Sequence, residues 1–370
     1  MTYRFFSDIL EAKEHIAPRN IITYNSYQVK VVNHMEAKEN LQGEHPRKRL
    51  LALGELLIDL IPGTEGMRME DAGPVIKTAS GSAGIVACAM AELGGNGGFI
   101  GKVGYDSLSK LATTTLAARG VDMSHVVVSG EGQIGLAFLE YLPEGRNYQY
   151  YRKNSVGSIL RPAELDESYI AGAYAVHYPG MLLELTPEMR ASCLRLVEIA
   201  RENGVLVSFD PNIRREIASD EDARRRLLDA VRTADIIAPT LDEGRMITGE
   251  ATIGKVLRAL HAMGPKVVAL TRDKDGAVLS RDGQVAIVHG IDIDAIDPTG
   301  AGDSFAAALC VGLQEDMPLE KLACFCNCTG SLVCTKKGAI GMALPSRAQV
   351  EQMMGSGMCT VHTTTLNAIE

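Results

Sequence analysis

From residue 50 onward the chain alternates short apolar runs with longer stretches whose apolar residues recur every three or four positions. The first pattern reads as buried strands and the second as amphipathic helices, so the chain predicts repeated βα units. Residues 50–61 read as one buried central strand, interrupted near its C-terminal end by Asp59. Helices are expected over 85–93 and 107–119, a strand over 99–103, and an extended piece over 121–128. At residue 134 the period changes: 134–142 and 148–152 read as the two strands of a hairpin turning through 143–147. Together with strands expected in the segment after residue 62, it forms a small β-sheet lid, within about 62–80 and 133–155. Alternation resumes with strands over 173–177, 205–209, 235–238 and 266–271, separated by helices over 186–203, 220–232 and 252–263. Two short strands (277–280, 285–288) and two helices (306–313, 319–334) follow. Short connections between such units imply an α/β, doubly wound, largely parallel sheet.

One domain is expected over 49–354, with an N-terminal appendage over 1–48 and a C-terminal tail over 355–370. The appendage is polar and charged and lacks the periodicity of the rest. Composition excludes more than it assigns. A net charge of −9 argues against nucleic acid, whose binding needs a basic face. No apolar run approaches the ~18 residues needed for a membrane span, and the N-terminus has no signal-peptide core. The eight cysteines lack a framework spacing and are expected to be reduced thiols in a cytoplasmic protein. Cys324, Cys326 and Cys328, two apart on a helix, point to different faces, which is poor geometry for one metal ion.

The chemistry concentrates at the ends of strands. Asp297-Pro298-Thr299-Gly300-Ala301-Gly302-Asp303 opens directly onto a strong helix pattern. Its glycines let a backbone approach a ligand closely, and its N–H groups at a helix start can hold an anion without a charged side chain. Asp303 on the first turn would repel a bound phosphate, which makes sense if it takes a proton from an attacking hydroxyl. Asp59, at a strand's C-terminal end, is placed to hold substrate hydroxyls. Gly81 and Ser82 stand at a helix entrance, where small residues serve either tight packing or a ligand. Tyr150 and Arg152 belong to a stretch dense in aromatic and cationic groups, suited to an exposed sheet edge or to a polar ligand that carries a carboxylate.

Over roughly residues 50–346 the chain resembles the PfkB, or ribokinase-like, carbohydrate kinases. The Asp297–Asp303 stretch is similar to the family's D-T-x-G-A-G-D motif. The resemblance implies that Gly300, Ala301 and Gly302 form the anion hole and that Asp303 is the catalytic base. It implies ATP and Mg²⁺ as cofactors, and K⁺ at Asp297 and Thr299. Glu243, in Pro239-Thr240-Leu241-Asp242-Glu243, resembles the Glu that helps place Mg²⁺ through water. Thr271, Asp273 and Gly276 resemble the motif along the nucleotide, joined by Gly302 and Asn327. Gly54-Glu55 with Asp59 resembles the G-E-x-x-x-D opening that holds sugar hydroxyls. Asp210-Pro211-Asn212 with Arg214 resembles a ketose-kinase motif, and Tyr150 to Ser155 the lid segment of 2-keto-3-deoxygluconate kinases. There Arg152 and Arg214 would clamp a sugar-acid carboxylate.

The chain departs from the pattern in three places. Ile85 stands where the family has Asn, Thr240 where it has Asn, and Asp273 where it has Gly. The expected reaction is phosphoryl transfer from ATP to a primary hydroxyl, with fructose and 2-keto-3-deoxygluconate nearly level as substrates. A non-catalytic sugar sensor and a nucleoside kinase are the alternatives. A dinucleotide oxidoreductase is disfavoured, because Gly54-Glu55-Leu56-Leu57-Ile58-Asp59 stands where G-x-G-x-x-G would be needed. A homodimer joined through the lid is also expected, with neither nucleic-acid nor membrane partners.

Overall fold

The apolar run over residues 50–61 is two strands, not one. The chain leaves the central sheet at Gly54 and enters a second, smaller sheet at Leu57. This computed structural model describes residues 21–25, 28–32, 47–64, 66–142, 145–213, 220–338, 340 and 343–370. The chain forms two compact units, Met1–Pro46 and Arg47–Glu370. The described part of the first is an antiparallel hairpin of β1 (Ile21–Asn25) and β2 (Gln28–Val32).

The second unit begins with β3 (Leu50–Leu53), β4 (Leu57–Pro62), β5 (Val75–Ser80) and α1 (Ser82–Glu92). It continues through β6 (Gly97–Val103), α2 (Ser107–Ala118), β7 (Val126–Val128), β8 (Gly135–Leu142) and β9 (Gly145–Tyr151). Then come α3 (Glu167–Ala171), β10 (Ala175–Pro179), α4 (Pro187–Glu202), β11 (Leu206–Asp210), α5 (Glu221–Thr233) and β12 (Ile236–Ile237). Next are α6 (Leu241–Thr248), α7 (Ile253–Met263), β13 (Val267–Thr271), β14 (Ala277–Arg281) and β15 (Gln284–Val288). The chain ends with α8 (Ala301–Gln314), α9 (Leu319–Cys334), α10 (Arg347–Gly355) and β16 (Val361–Thr365).

The main sheet has ten strands in the order β16-β15-β14-β13-β12-β11-β10-β3-β6-β7. From β7 to β13 all neighbours are parallel, and β14, β15 and β16 add an antiparallel edge. Parallel strands need crossovers that cover both faces, which is why they read as continuous apolar runs. Leu51, Val176, Val207, Phe209, Ile237, Val268 and Leu270 are at most partly touched by solvent and pack in one core with Leu196 and Leu257 of the crossover helices. Helix starts follow local chemistry. Asp106 accepts hydrogen bonds from the N–H groups of Leu108 and Ser109 at the head of α2, and Thr186 caps α4 ahead of Pro187.

The strand order reverses between β3 and β10, and an open α/β sheet binds its ligands outside the carboxyl ends at such a point. The small sheet, β5-β4-β8-β9, rises beside it. It is antiparallel except for the parallel pair β4–β8.

Two expectations are corrected. Residues 355–370 are not a tail, because β16 pairs in register with β15 and completes the sheet edge. Leu366 and Ile369 pack on the core, Arg258 donates to the carbonyls of both, and the Gly254 N–H donates to the Glu370 carbonyl at 2.8 Å. A polar edge strand carries too weak an alternation to be read from sequence. The second correction concerns the thiols: Cys324 of α9 forms a disulfide with Cys359, just before β16. That pairing depends on where β16 docks, which spacing alone did not reveal.

Deleting residues 360–370, which leaves Cys359 in place, is expected to cost about 3 kcal/mol of stability, from a lost ladder and two lost apolar contacts. Urea unfolding of the truncated chain checks this; an unchanged midpoint would restore the tail reading.

Candidate active site

At the reversal point lies a cleft of about 280 Å³. It is lined from below by the ends of β3, β10 and the two helix starts of α1 and α8, and from above by the β9 strand of the lid. Of the sequence-predicted residues, Asp59, Gly81, Ser82, Tyr150, Arg152, Thr299, Gly300 and Asp303 all line it. The structure therefore gathers one constellation from segments spread over some 240 residues, from Asp59 to Asp303.

Two helix N-termini meet at its floor. α1 starts after Gly81, whose φ of 108° suits glycine alone and where a Cβ would lie 2.5 Å from the Glu55 carbonyl oxygen. α8 starts after Gly300, in the left-handed region at φ 82°. The hydroxyl of Ser82, on the first turn of α1, donates to Asp303 Oδ1 at 2.5 Å. The first turn of a helix leaves N–H groups without intrahelical partners. At α8 one of these is spent, since the Ala301 N–H donates to the Pro298 carbonyl at 3.1 Å. A methyl group added at Gly302 would touch nothing within 4 Å, so packing does not require glycine there.

The charges around the cleft are handled one by one. Asp59 is 4% exposed, and burial pushes its carboxyl up to about 6, against a hydrogen bond from Ser80 and with a smaller push from Asp297. Glu55 is equally buried. Desolvation raises its pKa, opposed by the Arg152 guanidinium, whose Nη1 donates to Glu55 Oε1 at 2.7 Å, and by Ser155. Asp297 has no exposed surface. Burial pushes its pKa up, but hydrogen bonds from Thr299, Tyr141 and Gly338 outweigh burial and hold it low.

Asp297 is also where the lid comes down. Tyr141 donates to Oδ2 at 2.5 Å and Arg146 Nη1 to Oδ1 at 3.3 Å, while Arg146 also reaches Thr299 Oγ1 at 3.0 Å. The Tyr148 hydroxyl sits 3.0 Å from the same Thr299 oxygen. Arg146, Tyr148, Tyr150 and Arg152 alternate along β9 and so share the face over the cleft. Tyr141, opposite Arg146 in the hairpin register, joins them. Glu55, Tyr141, Arg146 and Tyr148 were missed as site residues. The period-2 spacing of Arg146, Tyr148, Tyr150 and Arg152 was the available signal.

The remaining predicted residues lie outside this cleft. Thr271 ends β13 and bridges to Thr240, which brings the Thr240 and Thr271 loops side by side. Asp273, where a glycine was expected, adopts φ 49°, a left-handed conformation that Asp tolerates better than most side chains. Gly276 closes the turn, its N–H donating to the Asp273 carbonyl. Glu243 forms a capping box with Thr240 on α6, and its Oε1 accepts from the Ile213 N–H at 2.6 Å. Asn327 spends its amide on the His289 carbonyl at 3.0 Å, tying α9 to the loop after β15. Arg214 lies outside the described residues.

A mixed α/β fold with a separate small sheet over the reversal point, and a part-buried Ser82–Asp303 pair at two helix starts, marks a class of phosphotransferases. The family description "pfkB family carbohydrate kinase" matches residues 47–347, and the chain belongs to that family. It is similar to Fructokinase-1 of Oryza sativa subsp. japonica, at 34% identity over 83% of this chain and 98% of the relative. Probable fructokinase-2 of Arabidopsis thaliana matches at 33% identity, over 80% of this chain and 93% of its own length. Among solved structures, a putative Ribokinase II from E. coli in complex with ATP and Mg²⁺ superposes with a TM-score of 0.79 at 25% identity. That match covers 84% of this chain and 99% of the E. coli one. Among the described residues no helix is long and apolar enough to cross a membrane.

The Asp59 carboxyl makes stability depend on pH. Its folded pKa of about 6 exceeds the ordinary 3.8, so the folded chain binds the proton more tightly than the unfolded one. This group therefore costs nothing at low pH, costs more as pH rises through that window, and costs about 3 kcal/mol above it. Asp59→Asn removes the cost, so the variant should gain about 1 kcal/mol more at pH 8 than at pH 5 in urea unfolding. Equal gains at the two pH values would refute the buried-carboxyl assignment.

Proposed function

We propose that the chain transfers the γ-phosphoryl group of ATP to the primary hydroxyl of a ketose, with fructose favoured over 2-keto-3-deoxygluconate. The observation that carries the substrate choice is the charge balance of the cleft. Among the described residues three carboxylates line it, Glu55, Asp59 and Asp303, against two guanidiniums, Arg146 and Arg152. Each guanidinium is already paired, Arg152 with Glu55 and Arg146 with Asp297. A sugar acid would bring a further carboxylate to cations that are spent, and breaking a buried pair leaves an uncompensated charge. A neutral ketose meets no such cost. Its hydroxyls find acceptors in Asp59 and Asp303, and its carbon faces find Ile85, Met181 and Leu182. The resemblance to plant fructokinases supports the same choice.

In this reading Ser82 aims the Asp303 carboxylate, and the substrate hydroxyl gives its proton to Asp303 as it attacks. The N–H groups at the start of α8 receive the transferring phosphoryl group. Thr271, Asp273 and Gly276 border the nucleotide, with Asn327 supporting the wall behind it. The described residues form no carboxylate cluster able to cage a metal. That suits Mg²⁺, which keeps its waters and binds largely through phosphates, neutralising their charge. Glu243 would reach it through water, with the lone pair that Oε1 keeps beside the hydrogen bond from the Ile213 N–H. Val75, Ile76 and Tyr151 stand exposed on the lid and fit a homodimer joined there.

The deciding assay is ATP consumption with Mg²⁺ against fructose, 2-keto-3-deoxygluconate, ribose, inositol and a nucleoside. Fructose is expected to give a kcat/KM at least tenfold above the sugar acid; the reverse order would overturn the charge argument. Asp303→Asn should lower kcat by ~10³-fold while leaving ATP binding intact. Turnover near the parent rate in that variant would remove Asp303 from its role.

A further inference from the structure

The family resemblance assigns a monovalent cation to Asp297 and Thr299, with carbonyls from the loop near Lys337-Gly338 completing the site, and the donors around the Asp297 and Thr299 side chains do not fit one. Asp297 Oδ1 accepts from the Thr299 N–H at 3.0 Å, from Thr299 Oγ1 at 2.6 Å and from Arg146 Nη1 at 3.3 Å. Oδ2 accepts from Tyr141 at 2.5 Å and from the Gly338 N–H at 3.0 Å. A carboxylate offers about four lone-pair directions, so five donors leave none for a metal ion. The Thr299 hydroxyl is approached by Arg146 and Tyr148 as well. Each of these groups turns hydrogen or positive charge towards the Asp297 and Thr299 side-chain oxygens. Lys337 adds a further positive charge, with its ammonium 5.5 Å from the centre of the Tyr141 ring.

Three of the donating side chains come from the lid, one from β8 and two from β9. Asp297 and Thr299 immediately precede Gly300, at the start of α8. We propose that Arg146, with Tyr141 and Tyr148, is a latch that holds the lid shut on the Asp297–Thr299 loop, and that its guanidinium replaces the monovalent cation in this chain. Arg146 is a positioning residue: it contacts neither the Ser82–Asp303 pair nor the Glu55 pair, and acts by fixing the loop that leads into the anion-binding turn. Closing the lid and ordering that turn are then one event. The catalytic half of this proposal rests on the kinase reading of Asp303; the latch itself does not.

The test compares the full chain with Arg146→Ala, Arg146→Lys and Tyr141→Phe. Kinetics with fructose and MgATP are run in potassium chloride and in tetramethylammonium chloride. Amide hydrogen exchange of residues 135–142 and 145–151 is followed in parallel without any substrate. The parent enzyme is expected to hold its kcat within about twofold when potassium is replaced. Arg146→Ala should lose about tenfold in kcat/KM, mostly in kcat, and recover part of it with ~20 mM guanidinium or potassium. Arg146→Lys should recover most of it, and Arg146→Ala and Tyr141→Phe should both exchange faster in the hairpin. A parent enzyme that loses tenfold without potassium would overturn the replacement. Hairpin exchange in Arg146→Ala as slow as in the parent would overturn the latch, even if no sugar in the assay were turned over.

Discussion

Four carboxylates stand within one small region of this molecule, and like charges brought together out of water are costly. The structure answers each differently. Asp297 keeps its charge because its two oxygens are surrounded by donors from the loop, from Gly338 and from the lid. Glu55 keeps a guanidinium beside it. Asp59, with one hydroxyl for company, is pushed towards the protonated form instead. Asp303 is oriented by Ser82, a neutral donor that does not neutralise it. The solvating groups come from both sheets, so the charge arrangement can be completed only when the lid lies over the main sheet.

That dependence explains the local backbone choices. The chain leaves β3 and reaches the lid within three residues, because Glu55 must face the cleft while Asp59 stands on the lid strand next to it. It returns through β5 into α1, so that Ser82 is delivered to the floor directly after a strand that pairs with β4. Asp59 and Ser82 thus belong to one antiparallel turn of chain, while Asp303 comes from a distant helix. The packing of α1 against α8 sets the Ser82–Asp303 contact.

Most of the fold could be read from the sequence, since parallel strands buried on both faces announce themselves as apolar runs and their crossover helices as 3.6-residue periods. The exceptions share a cause. Residues 50–61 are apolar on both sides of Gly54, and continuity of hydrophobicity hid a change of sheet. Residues 361–365 carry Thr and His at an edge, where one face meets solvent, so the strand left no periodic mark. In the site, Ser82 and Asp303 were legible as helix-start residues, and Asp59 as a charge inside an apolar run, although it stands within the lid strand β4 and not at a strand end. Arg146 and Tyr141 were not, because their importance lies in a partner, Asp297, more than 150 residues away in sequence. Nothing local distinguishes a lid arginine that latches from one that is merely solvated.

The departures from the family pattern make sense against the same background. Ile85 is 3% exposed on α1 and turns an apolar face to the cleft beside Ala83, where the family's Asn would offer an amide. Asp59 and Asn212 are among the polar side chains that line the rest of the cleft. Asp273 in place of Gly adds a negative charge beside the Thr240 and Thr271 loops, yet the backbone there keeps its left-handed turn, because the carboxylate side chain tolerates φ 49°. Both changes alter what the walls can recognise and leave the Ser82–Asp303 pair and the open face of Gly302 untouched. Selectivity in this scaffold is therefore free to drift along the walls. The floor of the cleft is pinned by two helix termini, and a shift there would break the Ser82–Asp303 hydrogen bond.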